Sequence, residues 1–168
     1  RASRAAVRPD RASTPASPTL FARSSDTQAG FAKRLQLGYN LFSYMRRVLV
    51  VDDEENLRLL VRTILRREGL EVEVASSGEQ ALALVETFGP DVILTDVRMP
   101  RMGGLDLLTT LKAKGNDAVV IVMSAYGNVD LAIEAMKAGA YDYLQKPFKP
   151  EELVLVLRKA EERESLRR

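Results

Sequence analysis

RVLVVDDEENLRLLVRTIL, residues 47–65, sets two structural signals back to back. Val48 to Val51 is an unbroken apolar run of strand length, rich in β-branched residues, and it stops abruptly at Asp52-Asp53-Glu54-Glu55. From there the apolar residues fall at helical spacing, at Leu57, Leu60, Val61, Ile64 and Leu65, and Gly69 follows where a left-handed residue closes a helix. A strand apolar on both faces, followed at once by an amphipathic helix, is the repeating unit of a parallel sheet covered on both sides.

The unit recurs down the chain. Further strand-sized runs are Val72 to Ala75, Val92 to Thr95, Val119 to Met123 and Tyr141 to Leu144. Helical stripes between and after them are Ala81, Leu84, Val85 and Phe88; Val129, Ala132, Ile133 and Met136; and Leu153, Val156, Leu157 and Ala160. Leu105, Leu108 and Leu111 mark a further helix less fully, and Gly89-Pro90, Gly115 and Gly139 close helices as Gly69 does. Five βα pairs joined by right-handed crossovers predict a doubly wound α/β fold with helices on both faces, and ligands in such folds sit at the carboxyl ends of the strands.

Composition narrows the chemistry. With 46% apolar residues in 168, the chain suits one domain with a proper core, and no apolar run approaches the length that crosses a bilayer. Cysteine is absent, which excludes disulfides and thiol chemistry; histidine is absent too, which removes imidazole as base, ligand or phosphoryl carrier. Carboxylates, hydroxyls and lysines remain.

Residues 1–44 carry seven Lys/Arg against two Asp/Glu, and residues 45–168 carry 18 against 21, so the pI near 9 reflects the leader and is no nucleic-acid footprint of the folded part. Residues 1–30, rich in Arg, Ala, Ser, Thr and Pro, read as disordered, while Phe31 to Tyr44 is more apolar and compatible with a short helix. The leader superficially resembles a transit peptide, but Met45 stands where a natural start would, and upstream sequence is the preferred reading. The domain is expected to span residues 45–168, with 1–44 dispensable; its last helix is expected from Glu151 to about Arg168, and the solvated charge run that ends it, Glu-Glu-Arg-Glu-Ser-Leu-Arg-Arg, reads as a linker starting at 160–168.

The strand ends carry the polar groups: Asp52 and Asp53 after the first strand, Asp96 after the third, Ser124 after the fourth, Lys146-Pro147 after the fifth. Three carboxylates brought together repel one another, so the site either keeps protons or binds a cation. An all-oxygen donor set favours a hard ion such as Mg²⁺, beside which a carboxylate can attack phosphorus while Lys146 offsets charge on the transferred group.

Asp52-Asp53, then Asp96 in Asp-Val-Arg-Met-Pro-Arg-Met-Gly-Gly, then Ser124-Ala125, then Tyr143-Leu-Gln-Lys146-Pro147-Phe148 resembles response-regulator receiver domains of two-component signalling across residues 45–168. The run from Ala125 to Tyr143 is most like receivers of nitrogen-regulation-type, sigma-54-dependent activators. The resemblance implies a flavodoxin-like (βα)5 sheet in the order 2-1-3-4-5, with Asp96 as phosphoacceptor. Asp53 and Asp96 would ligate Mg²⁺ directly, Asp52 would act through water, and the backbone carbonyl of Arg98 would be a further ligand. Ser124 would hydrogen-bond the phosphoryl group, Lys146 would pair with it, Tyr143 would reorient on activation, and Lys146-Pro147 would be cis. The implied partners are a sensor histidine kinase in trans, a second copy through the fourth helix, fifth strand and fifth helix, and a C-terminal AAA+ and DNA-binding effector; the implied place is the cytoplasm. On the output face, Leu131, Ala135, Val154 and Leu155 lie off the core stripes and are expected at the surface for a partner to cover, the plainer alternative being that they widen each helix's buried face. Ser124 stands where Thr is commoner, and Gln145 where close relatives often carry Pro.

Singly, these residues have plainer readings. Asp52 to Glu55 suits a helix N-terminus, Asp96 a strand-end turn, Ser124 an N-cap, Lys146-Pro147 a turn and Tyr143 a packed aromatic. Five in the right order argue otherwise. A haloacid-dehalogenase-like phosphatase needs Asp-x-Asp on the first strand, a P-loop nucleotidase needs Gly-x-x-x-x-Gly-Lys-Ser/Thr, and neither is present. Direct nucleic-acid or membrane contact by this domain is not expected.

Overall fold

The computed structural model describes residues 42–125 and 127–168. Strands and helices alternate as β1 Arg47–Val51, α1 Glu55–Arg67, β2 Glu71–Ala75, α2 Gly78–Phe88, β3 Val92–Asp96, α3 Gly104–Ala113, β4 Val119–Ala125, α4 Val129–Lys137, β5 Asp142–Lys146 and α5 Pro150–Arg167. All strand pairs are parallel, in the order β2-β1-β3-β4-β5.

Period-two alternation divides the core. Val48, Val50, Leu94, Ile121 and Met123 face α1 and α5, meeting Val61, Leu65, Leu153 and Leu157. Leu49, Val51, Ile93, Val120 and Val122 face the other way, onto Ala81, Leu107, Leu108, Leu111 and Ala135 of α2, α3 and α4. Strands buried on both faces account for the unbroken apolar runs. Gly89 closes α2 in the left-handed conformation at φ 59°, donating its N–H to the Val85 carbonyl, which suits the residue that lacks a Cβ.

Register delivers the polar groups to one rim. Val51 pairs with Ala75 and Thr95, Asp96 with Met123, and Ala125 with Lys146, so Asp52, Asp96, Ser124 and Lys146 stand at neighbouring strand ends within two residues of register.

The structure corrects three expectations. On α4, Ala132 and Ala135 are buried and Leu131 packs beside them, while Val129, Ile133 and Met136 are exposed by 66%, 47% and 42%. Helical spacing offered two overlapping apolar stripes, and close approach to β4 selects the one centred on alanines, turning the larger side chains outward. Similarly, Val154 of α5 is buried and only Leu155 faces out, and Leu60 of α1 is exposed beside Leu59.

The third correction concerns both ends of the domain. The disorder expected over residues 1–30, and all but the last three residues of the short helix with which Phe31 to Tyr44 was compatible, lie outside the described residues; residues 42–44 are not helical. Phe42, however, is 1% exposed in the core, three residues before the expected start. The backbone N–H groups of Ser43, Tyr44 and Met45 donate to the Glu161 carboxylate at 2.6, 2.8 and 2.8 Å, and the Arg168 guanidinium lies over the Tyr44 ring at 5.6 Å. α5 runs to Arg167, as expected for the last helix, but Ala160 and Glu161, at the head of the run expected to be solvated, are buried. Glu161 sits in a charge run, but its partners are more than a hundred residues away in sequence.

Candidate functional site

Asp52 leaves β1 still bound to the ladder, its N–H donating to the Ala75 carbonyl at 3.1 Å, and its side chain is fully buried. Each of its acceptor groups is engaged: Oδ1 by the Glu54 N–H at 2.9 Å, Oδ2 by the Lys146 ammonium, and the backbone carbonyl by the Arg58 guanidinium at 2.7 Å. Asp96 ends β3 with Oδ1 accepting from the Arg98 N–H at 3.2 Å and Oδ2 from Lys146 Nζ at 3.1 Å. Lys146, reaching over from the end of β5, thus bridges two carboxylates from two other strands. Asp53 is exposed and completes the group, with carboxylate oxygens of Asp52, Asp53 and Asp96 lying within 4.8 Å of one another.

Three acids and one lysine leave an excess of negative charge in a partly desolvated space. Burial raises the Asp96 carboxyl above the ordinary carboxylate range and the Asp52 charge adds to this, against the pull of Lys146 and the Arg98 N–H. Burial acts against the charged form of Lys146, but its hydrogen bonds and charge attraction to Asp52 and Asp96 prevail, and its ammonium is held above the usual lysine value. The lysine is therefore firmly a cation. An all-oxygen donor set that carries more charge than its lysine neutralises fits a hard divalent cation.

The remaining expected residues divide. Ser124 is buried at the end of β4, and alternation puts it on the same sheet face as Tyr143, whose strand neighbour Leu144 points into the opposite core. Tyr143 is 48% exposed and lies with Val129, Ala132, Ile133, Met136 and Lys137 in a shallow surface depression, away from the acids. The Lys146–Pro147 bond is cis.

Two residues at the site had no assigned role in the sequence. Gly104 begins α3 where a Cβ would stand 2.2 Å from the Asp96 carbonyl oxygen, so only glycine lets the helix start against the acid's own backbone. The paired glycines after Met102 were the available signal. Arg58 is one of several arginines on α1, and its contact with a backbone carbonyl leaves no mark in the sequence.

A family model described as response regulator receiver domain matches residues 48–158. Regulatory protein AtoC of Escherichia coli is 39% identical over 124 residues, which are 74% of this chain and 27% of that protein. Response regulator MprA of Mycolicibacterium vanbaalenii is 40% identical over 112 residues, 67% of this chain and 48% of that one. The chain thus spans from about a quarter to about half of the length of these curated relatives. Among solved structures, the receiver domain of NtrX from Brucella abortus superposes with a TM-score of 0.66 at 38% identity, covering 68% of this chain and 98% of that one. Sheet order, acid cluster and these matches agree, and the chain belongs to the response-regulator receiver family, the phosphoacceptor signalling domains of two-component systems.

Proposed function

We propose that Asp96 is the phosphoacceptor, and that the group it receives comes from a phosphohistidine on a sensor kinase, since this chain has no histidine of its own. The observation that carries this reading is Lys146 lodged between Asp52 and Asp96, with Asp53 open beside them. An Asp96 oxygen attacks phosphorus, the bond from phosphorus to the donor's imidazole nitrogen breaks, and the electron pair stays on that nitrogen. Lys146 stays beside the attacked group and balances charge on its oxygens. Mg²⁺ held by Asp53, Asp96 and the Arg98 carbonyl, with Asp52 reached through water, would neutralise the remaining phosphoryl charge. Water later hydrolyses the acyl phosphate and resets the domain.

Ser124 then turns its hydroxyl to a phosphoryl oxygen, and Tyr143 moves from the surface towards the space vacated. The output face is α4, β5 and α5, where Val129, Ile133, Met136 and Tyr143 are exposed together, and its partner is a second copy or an effector domain of the kind that follows receivers in AAA+ activators. A cytoplasmic location goes with this reading; among the described residues no helix is long and apolar enough to cross a membrane.

Incubation with Mg²⁺ and a small phosphodonor is expected to label the wild-type chain, with background label in excess chelator and in Asp96→Asn. Undiminished label in chelator would refute the metal requirement, and equal label in Asp96→Asn would refute the acceptor assignment.

A further inference from the structure

We propose that Arg58 is a positioning residue that aims Asp53 into the acidic cluster by holding the peptide between Asp52 and Asp53; this rests on the reading that Asp53 ligates a divalent cation. Asp53 presents a problem that Asp52 and Asp96 do not. Its side chain is exposed, and its carboxylate has no hydrogen bond or ion pair with the described residues, yet it sits within 4.8 Å of two other carboxylates that repel it. A group so placed is directed only through its backbone.

Both peptides flanking Asp53 are held. The one before it offers its carbonyl, that of Asp52, to Arg58 Nη1 at 2.7 Å, and the one after it donates its N–H, that of Glu54, to Asp52 Oδ1 at 2.9 Å. Together they set the backbone on either side of Asp53 and hence the direction of its Cα–Cβ bond, just after the chain has made its last ladder bond at Asp52. Arg58 is itself anchored, because its N–H donates to the Glu54 carbonyl at 3.1 Å in the first turn of α1, and its half-buried side chain runs back along the helix start. The guanidinium is therefore an outer support for a cation site, of the kind whose loss weakens metal binding without removing a ligand.

Electrostatics alone predicts the opposite sign. Arg58 is a cation beside the acids, so deleting it should strengthen cation binding if charge were its only contribution. The test compares Mg²⁺ binding to the unsubstituted 168-residue chain, Arg58→Ala and Arg58→Lys by calorimetry, with amide exchange at Glu54 as a second readout. Arg58→Ala is expected to weaken Mg²⁺ by about tenfold, in the range seen for outer supports of metal sites, and to speed exchange at Glu54. Arg58→Lys, which keeps a donor and the charge, recovers most of the affinity. Unchanged or tighter binding in Arg58→Ala overturns the proposal, as does a loss that Arg58→Lys does not reverse at all. Failure of the wild type to bind Mg²⁺ would instead overturn the metal reading on which the proposal stands.

Discussion

Lys146→Met is expected to slow phosphorylation by about a hundredfold or more, the scale of losing one charge-stabilising donor. The same substitution should destabilise the metal-free domain by about 3 to 5 kcal/mol, because it strips one partner from a buried ion pair. Asp52 makes that cost large: its side chain is fully buried and its Oδ2 depends on the lysine. Asp96, 14% exposed and already raised by burial, would be raised further without Lys146 and would keep its proton to a higher pH. A divalent cation among Asp52, Asp53 and Asp96 replaces the missing charge, so added Mg²⁺ should return much of the lost stability while the labelling rate stays low. Urea unfolding in chelator and in Mg²⁺ reads the first effect, and phosphodonor labelling reads the second. Wild-type stability in chelator would show that the acids are not held as described.

A chain beginning at Met45 is expected to be about 3 kcal/mol or more less stable than one beginning at Leu41, the usual range for losing a buried phenylalanine. Phe42 fills the core between the sheet and α5, and Ser43 and Tyr44 supply two of the three N–H donors to the Glu161 carboxylate. Phe42→Ala in the 168-residue chain should reproduce most of the loss, and Glu161→Ala should cost about 1 to 3 kcal/mol by leaving those donors without their acceptor. Thermal or denaturant unfolding of these four chains and of the unsubstituted 168-residue chain decides it. Equal midpoints would mean that this segment adds nothing to the domain.

What the sequence disclosed follows the physics of each signal. The buried strands were legible because a run apolar on both faces, such as Val48 to Val51, has few other uses, and the acids were legible because strand ends converge by topology whatever the loops do. The exposed face of α4 was not, because Val129, Leu131, Ala132, Ile133, Ala135 and Met136 cover most of the helix, and only packing against β4 chooses among them. Glu161 read as solvated charge because its three partners come from the other end of the domain. Arg58 was silent for a related reason: it binds a backbone carbonyl, which every residue carries.

The most direct test of the central claim is to locate the phosphoryl group. Reductive trapping of the acyl phosphate with borohydride, followed by peptide fragmentation, should convert Asp96 alone to homoserine in chains incubated with Mg²⁺ and phosphodonor. Homoserine at Asp52 or Asp53, or phosphate recovered on Ser124 with Asp96 unchanged, would contradict the assignment of Asp96 as the phosphoacceptor.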